Sequence, residues 1–177
     1  MIRTRVGYAG GEKENPTYHG LGDHTETLDI DFDPAVISYE KIMELFWTAH
    51  NPCAETWSRQ YMSAVFVRDG EQRRIATEVR DRVTKDLKNP VTTPILPLTR
   101  FWIAEDYHQK YRLRHDGPLL RELKAYYPDN RDFVNSTVAA RLNGFLDGEG
   151  DPKVLEREID SYGLSEDGRS RLRAAVK

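Results

Sequence analysis

The residues of this chain best suited to chemistry flank one loop near its start. Arg3 to Tyr8 run into Ala9-Gly10-Gly11, then come Asn15-Pro16-Thr17-Tyr18, and then His24-Thr25-Glu26. Glycines let a backbone turn sharply or approach a ligand closely. Tyrosine hydroxyls donate hydrogen bonds from an aromatic wall. A glutamate beside them can act as a general acid where its surroundings favour the protonated form. Tyr18 and Glu26 therefore suit a small polar group such as S=O or C=O. The same residues also fit a plain hairpin with surface tyrosines.

A second candidate is Cys53, the chain's one cysteine, three residues after His50 and eight before Tyr61. A thiol beside a protonated imidazole can serve as a nucleophile. Alone, it forms no internal disulfide, and its sulfenic acid would need an external thiol. A lone cysteine near a histidine is a weak signal, and reads first as an ordinary loop residue. His24, His50 and His108 fall on different predicted elements without i, i+4 pairing, so they read as structural and not as metal ligands. Asp147 to Asp151 carries carboxylates at alternate positions but lacks the pattern of a calcium loop, and reads as a linker turn.

The elements that must position these residues follow from periodicity. Ile2 to Tyr8 and Thr25 to Phe32 alternate apolar and polar, the strand period. Gly7 to Asp23 between them is a loop. Ser38 is placed to cap a helix whose apolar stripe is Ile42, Leu45, Phe46 and Ala49, and His50-Asn51-Pro52 stops it. Met62 to Val67 predicts a strand, Glu71 to Leu87 a surface helix, and Thr92 to Ile95 and Leu98 to Ile103 short strands around prolines. Ala104 is expected to start a short helix. Beyond Arg114 the pattern is helical: one helix from Pro118 to Pro128, one from Asp132 to Phe145, and shorter ones around Val154–Tyr162 and Glu166–Val176, the last interrupted at Gly168. Low apolar content makes this region read as an appendage and not a separately stable domain.

Composition narrows the classes. The 177 residues are 38% hydrophobic and 31% charged, a polar but foldable globular chain. A net charge of −3 gives no basic footprint for nucleic acid. No run of ~18 apolar residues predicts a membrane span, and no apolar signal segment is visible. A single cysteine fits a reducing compartment, so a cytoplasmic location is expected.

Several motifs, in order, carry a resemblance. Gly7-Tyr8-Ala9-Gly10-Gly11, Asn15-Pro16-Thr17-Tyr18, His24-x-Glu26, the stretch from Phe32 to Pro52, Arg59 to Phe66, and Ala104 to Tyr111 are together similar to the type A peptide methionine-(S)-sulfoxide reductase family, over residues 2–112. The resemblance implies an α+β fold: a mixed sheet flanked by helices, a split β-α-β core lacking its first β-α unit. Residues 1–113 would form this N-terminally incomplete domain and 114–177 a helical extension. It implies a protein-repair oxidoreductase of oxidative stress that reduces methionine-(S)-sulfoxide, free or in peptides. A cysteine thiolate would attack the sulfur while a glutamate and two tyrosines bind and protonate the oxygen. Matched motif by motif, those three are Glu26, Tyr18 and Tyr61. No bound cofactor or metal is implied, only an external thiol reductant of the thioredoxin or dithiothreitol type, with thioredoxin as a partner and neither nucleic acid nor membrane.

The chain also departs from the family pattern. The Gly-Cys-Phe-Trp-Gly motif that holds the nucleophile is absent from these 177 residues, and Met1 stands where the family's chain would arrive from the helix after it. The usual loop before Tyr61 is replaced by Cys53-Ala54-Glu55-Thr56-Trp57-Ser58. Cys53 is then the available substitute nucleophile. The alternatives to a reductase are a sulfoxide-binding module without turnover and an inactive truncated product.

Overall fold

A computed structural model describes residues 1–148 and 150–176. Their architecture is α+β, small sheets flanked by helices. Strand β1 is Arg3–Ala9, β2 Thr25–Asp31, β3 Val65–Val67, β4 Ile95–Pro97 and β5 Phe101–Ile103. One sheet has the order β2-β1-β5, with β5 antiparallel to β1 and Ala9 opposite Phe101. The other pairs β3 with β4 in parallel. The chain divides into two compact units, Val6–Ala104 and Met1–Arg5 with Glu105–Lys177.

In the first unit, helix α1 (Tyr39–Thr48) and helix α2 (Gly70–Thr84) pack together over β3. Ser38 caps α1 by accepting from the Lys41 amide at 3.1 Å, and Asp69 caps α2 by accepting from the Gln72 amide at 2.8 Å. Met43, Trp47, Val65, Val67, Ala76 and Val79 form their shared core. A smaller cluster, Tyr8, Leu21 and Ala104, lies against β1. The strand expected from Met62 to Val67 is laddered only over its last three residues. Among the described residues β3 pairs with β4 alone, so the expected single sheet is two. A cleft of about 340 Å³ lies between the pieces, lined by Leu28, Ile30, Met43, Phe46, Val65 and Phe101 among others.

The second unit is helical: α3 (Tyr111–Arg114), α4 (Gly117–Tyr126), α5 (Asn130–Asn135), α6 (Thr137–Phe145), α7 (Pro152–Glu158), a 3₁₀ turn at Ile159–Tyr162, and α8 (Glu166–Ala175). It buries thirteen side chains in one cluster, among them Leu119, Phe133, Leu142, Leu155 and Leu172. Three local expectations change. The turn after Ala104 does not become helix until Tyr111, because Lys110 adopts a left-handed conformation with φ 55°. The single helix over Asp132–Phe145 is two, because Ser136 is extended at ψ 132° and its hydroxyl accepts from the Ala139 amide at 3.2 Å to cap α6. Gly168 does not interrupt α8. A Cβ there would lie 2.7 Å from the Glu122 carboxylate, which accepts from the Ser165 amide and hydroxyl at 2.9 and 2.7 Å. Any side chain at that position would have to displace the Glu122 carboxylate. The linker turn around Asp147 to Asp151 includes Glu149, which lies outside the described residues. No described helix is long and apolar enough to cross a membrane.

Candidate active site

The loop between β1 and β2 is held by a small set of polar side chains. His24 is fully buried. Its Nδ1 accepts from the Gly11 amide at 3.2 Å, which leaves the opposite ring N–H to donate to the Lys13 carbonyl at 2.7 Å. The Asp23 carboxylate accepts from the Glu12 and Lys13 amides, and those amides hold its pKa below the usual carboxylate value. Arg59 reaches across from a later segment. Its Nε donates to the Asp23 carbonyl at 2.6 Å and its Nη2 to the Gly10 carbonyl at 2.8 Å. Gly10 has φ 80°, and any Cβ there would lie 2.5 Å from the Phe66 ring.

With Arg59 fixed, its neighbours fall beside β2. Thr25 donates from Oγ1 to the Arg59 carbonyl at 2.9 Å, and the Glu26 amide donates to the Gln60 carbonyl at 2.9 Å. The Gln60 side-chain amide then donates to the Glu26 carboxylate at 2.7 Å and to the Tyr61 hydroxyl at 3.1 Å. The Tyr61 and Tyr18 hydroxyls lie 3.4 Å apart. Tyr18, Glu26 and Tyr61, named from the sequence on three separate segments, thus meet in one patch bridged by Gln60. The hydrogen bond with Tyr18, followed by partial burial and the nearby Glu26 charge, pushes the Tyr61 phenol above its ordinary pKa. Tyr61 is therefore a neutral donor at physiological pH. A carboxyl and two phenols in this arrangement can surround one acceptor oxygen and deliver a proton to it.

Beside Tyr61 stands Trp57, 84% exposed, with ring centroids 5.3 Å apart and planes at 41°. The two rings line an open cleft of about 520 Å³ together with Glu55, Ser63, Thr92 and Pro94. Cys53 lies in a different hydrogen-bonding arrangement: its thiol donates to the Asn89 carbonyl at 3.2 Å. His50 uses Nδ1 with the Phe46 carbonyl at 2.8 Å and Nε2 with the Thr93 hydroxyl at 3.0 Å. Among the described residues no cluster of His, Cys, Asp or Glu could hold a metal ion. Gln60, Arg59 and Trp57 escape a reading for chemistry in the sequence. The signal for the first two is their place immediately before Tyr61. Trp57 has no such signal, since its exposure appears only in the fold.

Residues 1–139 match the family described as peptide methionine sulfoxide reductase. The chain is 39% identical over 170 residues to a peptide methionine sulfoxide reductase of Drosophila melanogaster, covering 93% of this chain and 67% of that one. It is 38% identical over 152 residues to peptide methionine sulfoxide reductase A5 of Oryza sativa, covering 82% and 59%. Matches to these relatives thus span 59% to 67% of their length. The structure is similar to that of Mxr1 from Saccharomyces cerevisiae in reduced form, with TM-score 0.59 and 24% identity over 64% of this chain and 71% of that one, a likeness of fold. The chain belongs to the peptide methionine sulfoxide reductase family.

Proposed function

We propose that this chain binds methionine-(S)-sulfoxide and activates it for reduction to methionine, a protein-repair reaction of oxidative stress. The bridging of Glu26 and Tyr61 by Gln60, with the Tyr18 hydroxyl alongside, carries the reading. Glu26 is the acid, and Tyr61 and Tyr18 donate to the sulfoxide oxygen. A thiol attacks the sulfur as that oxygen is protonated. The S–O bond breaks, the sulfide leaves, and the oxygen ends on the thiol as a sulfenic acid: RSH + R′₂SO → RSOH + R′₂S. A second thiol, of the thioredoxin or dithiothreitol type, then releases water and forms a disulfide. No cofactor enters this balance. Residues 1–113 carry the chemistry in this proposal, and 114–177 are a helical extension to it.

The thiol is the open element. Cys53 is the only candidate in the sequence. Its hydrogen bond to the Asn89 carbonyl favours a second reading, in which the chain binds the sulfoxide and the reacting thiol comes from elsewhere. Titration of the purified chain with an N-acetyl methionine-(S)-sulfoxide amide, followed by tryptophan fluorescence, tests the shared core of both. Saturable binding is expected for the sulfoxide and not for methionine, weakened at least tenfold in Glu26→Ala and Tyr61→Phe. Equal binding of sulfoxide and sulfide would sink the proposal. Turnover with excess dithiothreitol that disappears in Cys53→Ser would select Cys53 as the nucleophile. Binding without turnover would select the second reading.

A further inference from the structure

The loop that departs from the family pattern, Cys53 to Ser58, places two side chains that the oxygen-binding cluster does not use. Trp57 is the most exposed large hydrophobic residue among those described, at 84%. An indole so open to water loses the favourable burial it could have, and its ring centroid lies 5.3 Å from that of Tyr61. That contact puts an apolar face beside the ring whose hydroxyl belongs to the oxygen-binding patch. The cleft lined by both rings, about 520 Å³, lies within the ~300–1,000 Å³ typical of small-ligand sites and is open to solvent. Ser63, Thr92, Thr93 and Pro94 also line it. Along it, Met62 and Ser63 lie outside any strand ladder. Glu55 is the one charged residue lining the cleft, and it forms no ion pair among the described residues. A cleft with one aromatic wall, one unpaired carboxylate and no basic side chain has a defined preference.

We infer that the cleft of Trp57 and Glu55 is a substrate-peptide site: the chain flanking the methionine sulfoxide lies against the Trp57 indole, and Glu55 selects an extended peptide with a lysine or arginine next to that residue. The inference rests on the reading of Glu26, Tyr18 and Tyr61 as the oxygen-binding groups. With the sulfoxide oxygen on Tyr61, the flanking residues occupy the cleft beside the indole face. The cleft is open to solvent and so admits a polymer. An acidic flank meets Glu55 and is disfavoured, an effect that weakens with salt.

Binding of four ligands to the full chain tests this: free methionine-(S)-sulfoxide, and five-residue peptides carrying it centrally with glycine, lysine or glutamate flanks. Intrinsic fluorescence is replaced by calorimetry here, since Trp57 itself is varied. The lysine-flanked peptide is expected to bind at least tenfold tighter than the free amino acid and three- to tenfold tighter than the glutamate-flanked one. Glu55→Gln should abolish the flank preference and leave the glycine-flanked peptide unchanged. Trp57→Ala should weaken all three peptides about tenfold, and Trp57→Phe should restore most of it. If both variants bind every peptide as the parent does, while Glu26→Ala still loses the sulfoxide, the inference fails and the oxygen-site reading stands. If no ligand is distinguished from its methionine counterpart, the oxygen-site reading fails first. Both substitutions are at exposed positions, so loss of folding does not confuse the outcome.

Discussion

The two compact units solve the problem of burial differently. The helical unit closes one apolar cluster of thirteen side chains, with Phe133, Leu119 and Leu142 wholly buried. The Val6–Ala104 unit divides its apolar side chains between two clusters and two short sheets, and leaves an apolar cleft of about 340 Å³ beside β2 and β3. What orders the second arrangement is polar: His24, Asp23, Arg59 and Gln60 each bond across a long stretch of chain. In the proposed reading, a site that presents carboxyl and phenol groups to a ligand is held by directional bonds, whereas the helical unit is held by packing.

Substitutions should separate these two modes. The largest effect is expected in the helical core. Phe133→Ala removes a buried ring that also has the Lys124 ammonium 4.6 Å and the Arg114 guanidinium 5.1 Å from its centroid. A loss of about 3–5 kcal/mol is expected in chemical denaturation of this region. A loss below about 1 kcal/mol would mean that the cluster is not what stabilises it.

Next comes Lys110, buried in the same unit, its Nζ donating to the Thr4 carbonyl. Burial, then the charges of Arg5 and Arg114, pulls its pKa down to about 8. The unfolded chain holds that proton up to about 10.4, so between these values the unfolded state binds more protons than the folded one. The penalty on the fold is complete below pH 8 and is relieved as pH rises. Stability should therefore gain up to about 3 kcal/mol between pH 8 and 10.5, and Lys110→Met should flatten that slope.

In the site unit, Arg59→Ala removes the two bonds that fix Gly10 and Asp23. Sulfoxide affinity should fall by about tenfold, roughly 1.4 kcal/mol, with the far-ultraviolet dichroism retained. Unchanged affinity would show that the cluster does not depend on this clamp. The smallest effect is expected at the surface of α2. Arg74 pairs there with Glu71 and Glu78 at 2.6 and 2.7 Å, yet is about half exposed, so Arg74→Ala should cost under about 0.5 kcal/mol.

Much of this was legible in the residues themselves. The helical period after Ser38 marked α1 and its cap, because local periodicity and capping act within a few residues. It misplaced the buried face: Met43 and Trp47 are buried, whereas Leu45 of the expected stripe is 55% exposed and Ala49 lies past the helix end. Tyr18, Glu26 and Tyr61 were legible through their motifs, but their meeting was not, since Arg59 and Gln60 make that contact across more than thirty residues. The break at Ser136 and the continuity of α8 through Gly168 depended on a local cap and on a tertiary carboxylate, Glu122. Propensity alone assigns both positions the other way. Met62 to Ala64 carried a strand pattern without a partner strand beside it, and a strand is defined by its pairing.

The central claim is that Glu26, Tyr61 and Tyr18 together receive a sulfoxide oxygen. A crystal of the full chain soaked with methionine-(S)-sulfoxide tests it most directly. The account predicts the oxygen within about 3.2 Å of the Tyr61 hydroxyl and the Glu26 carboxyl, with Gln60 still bridging the two. A ligand seated instead in the apolar cleft beside β2, or with its oxygen in solvent while both residues are ordered, would contradict it.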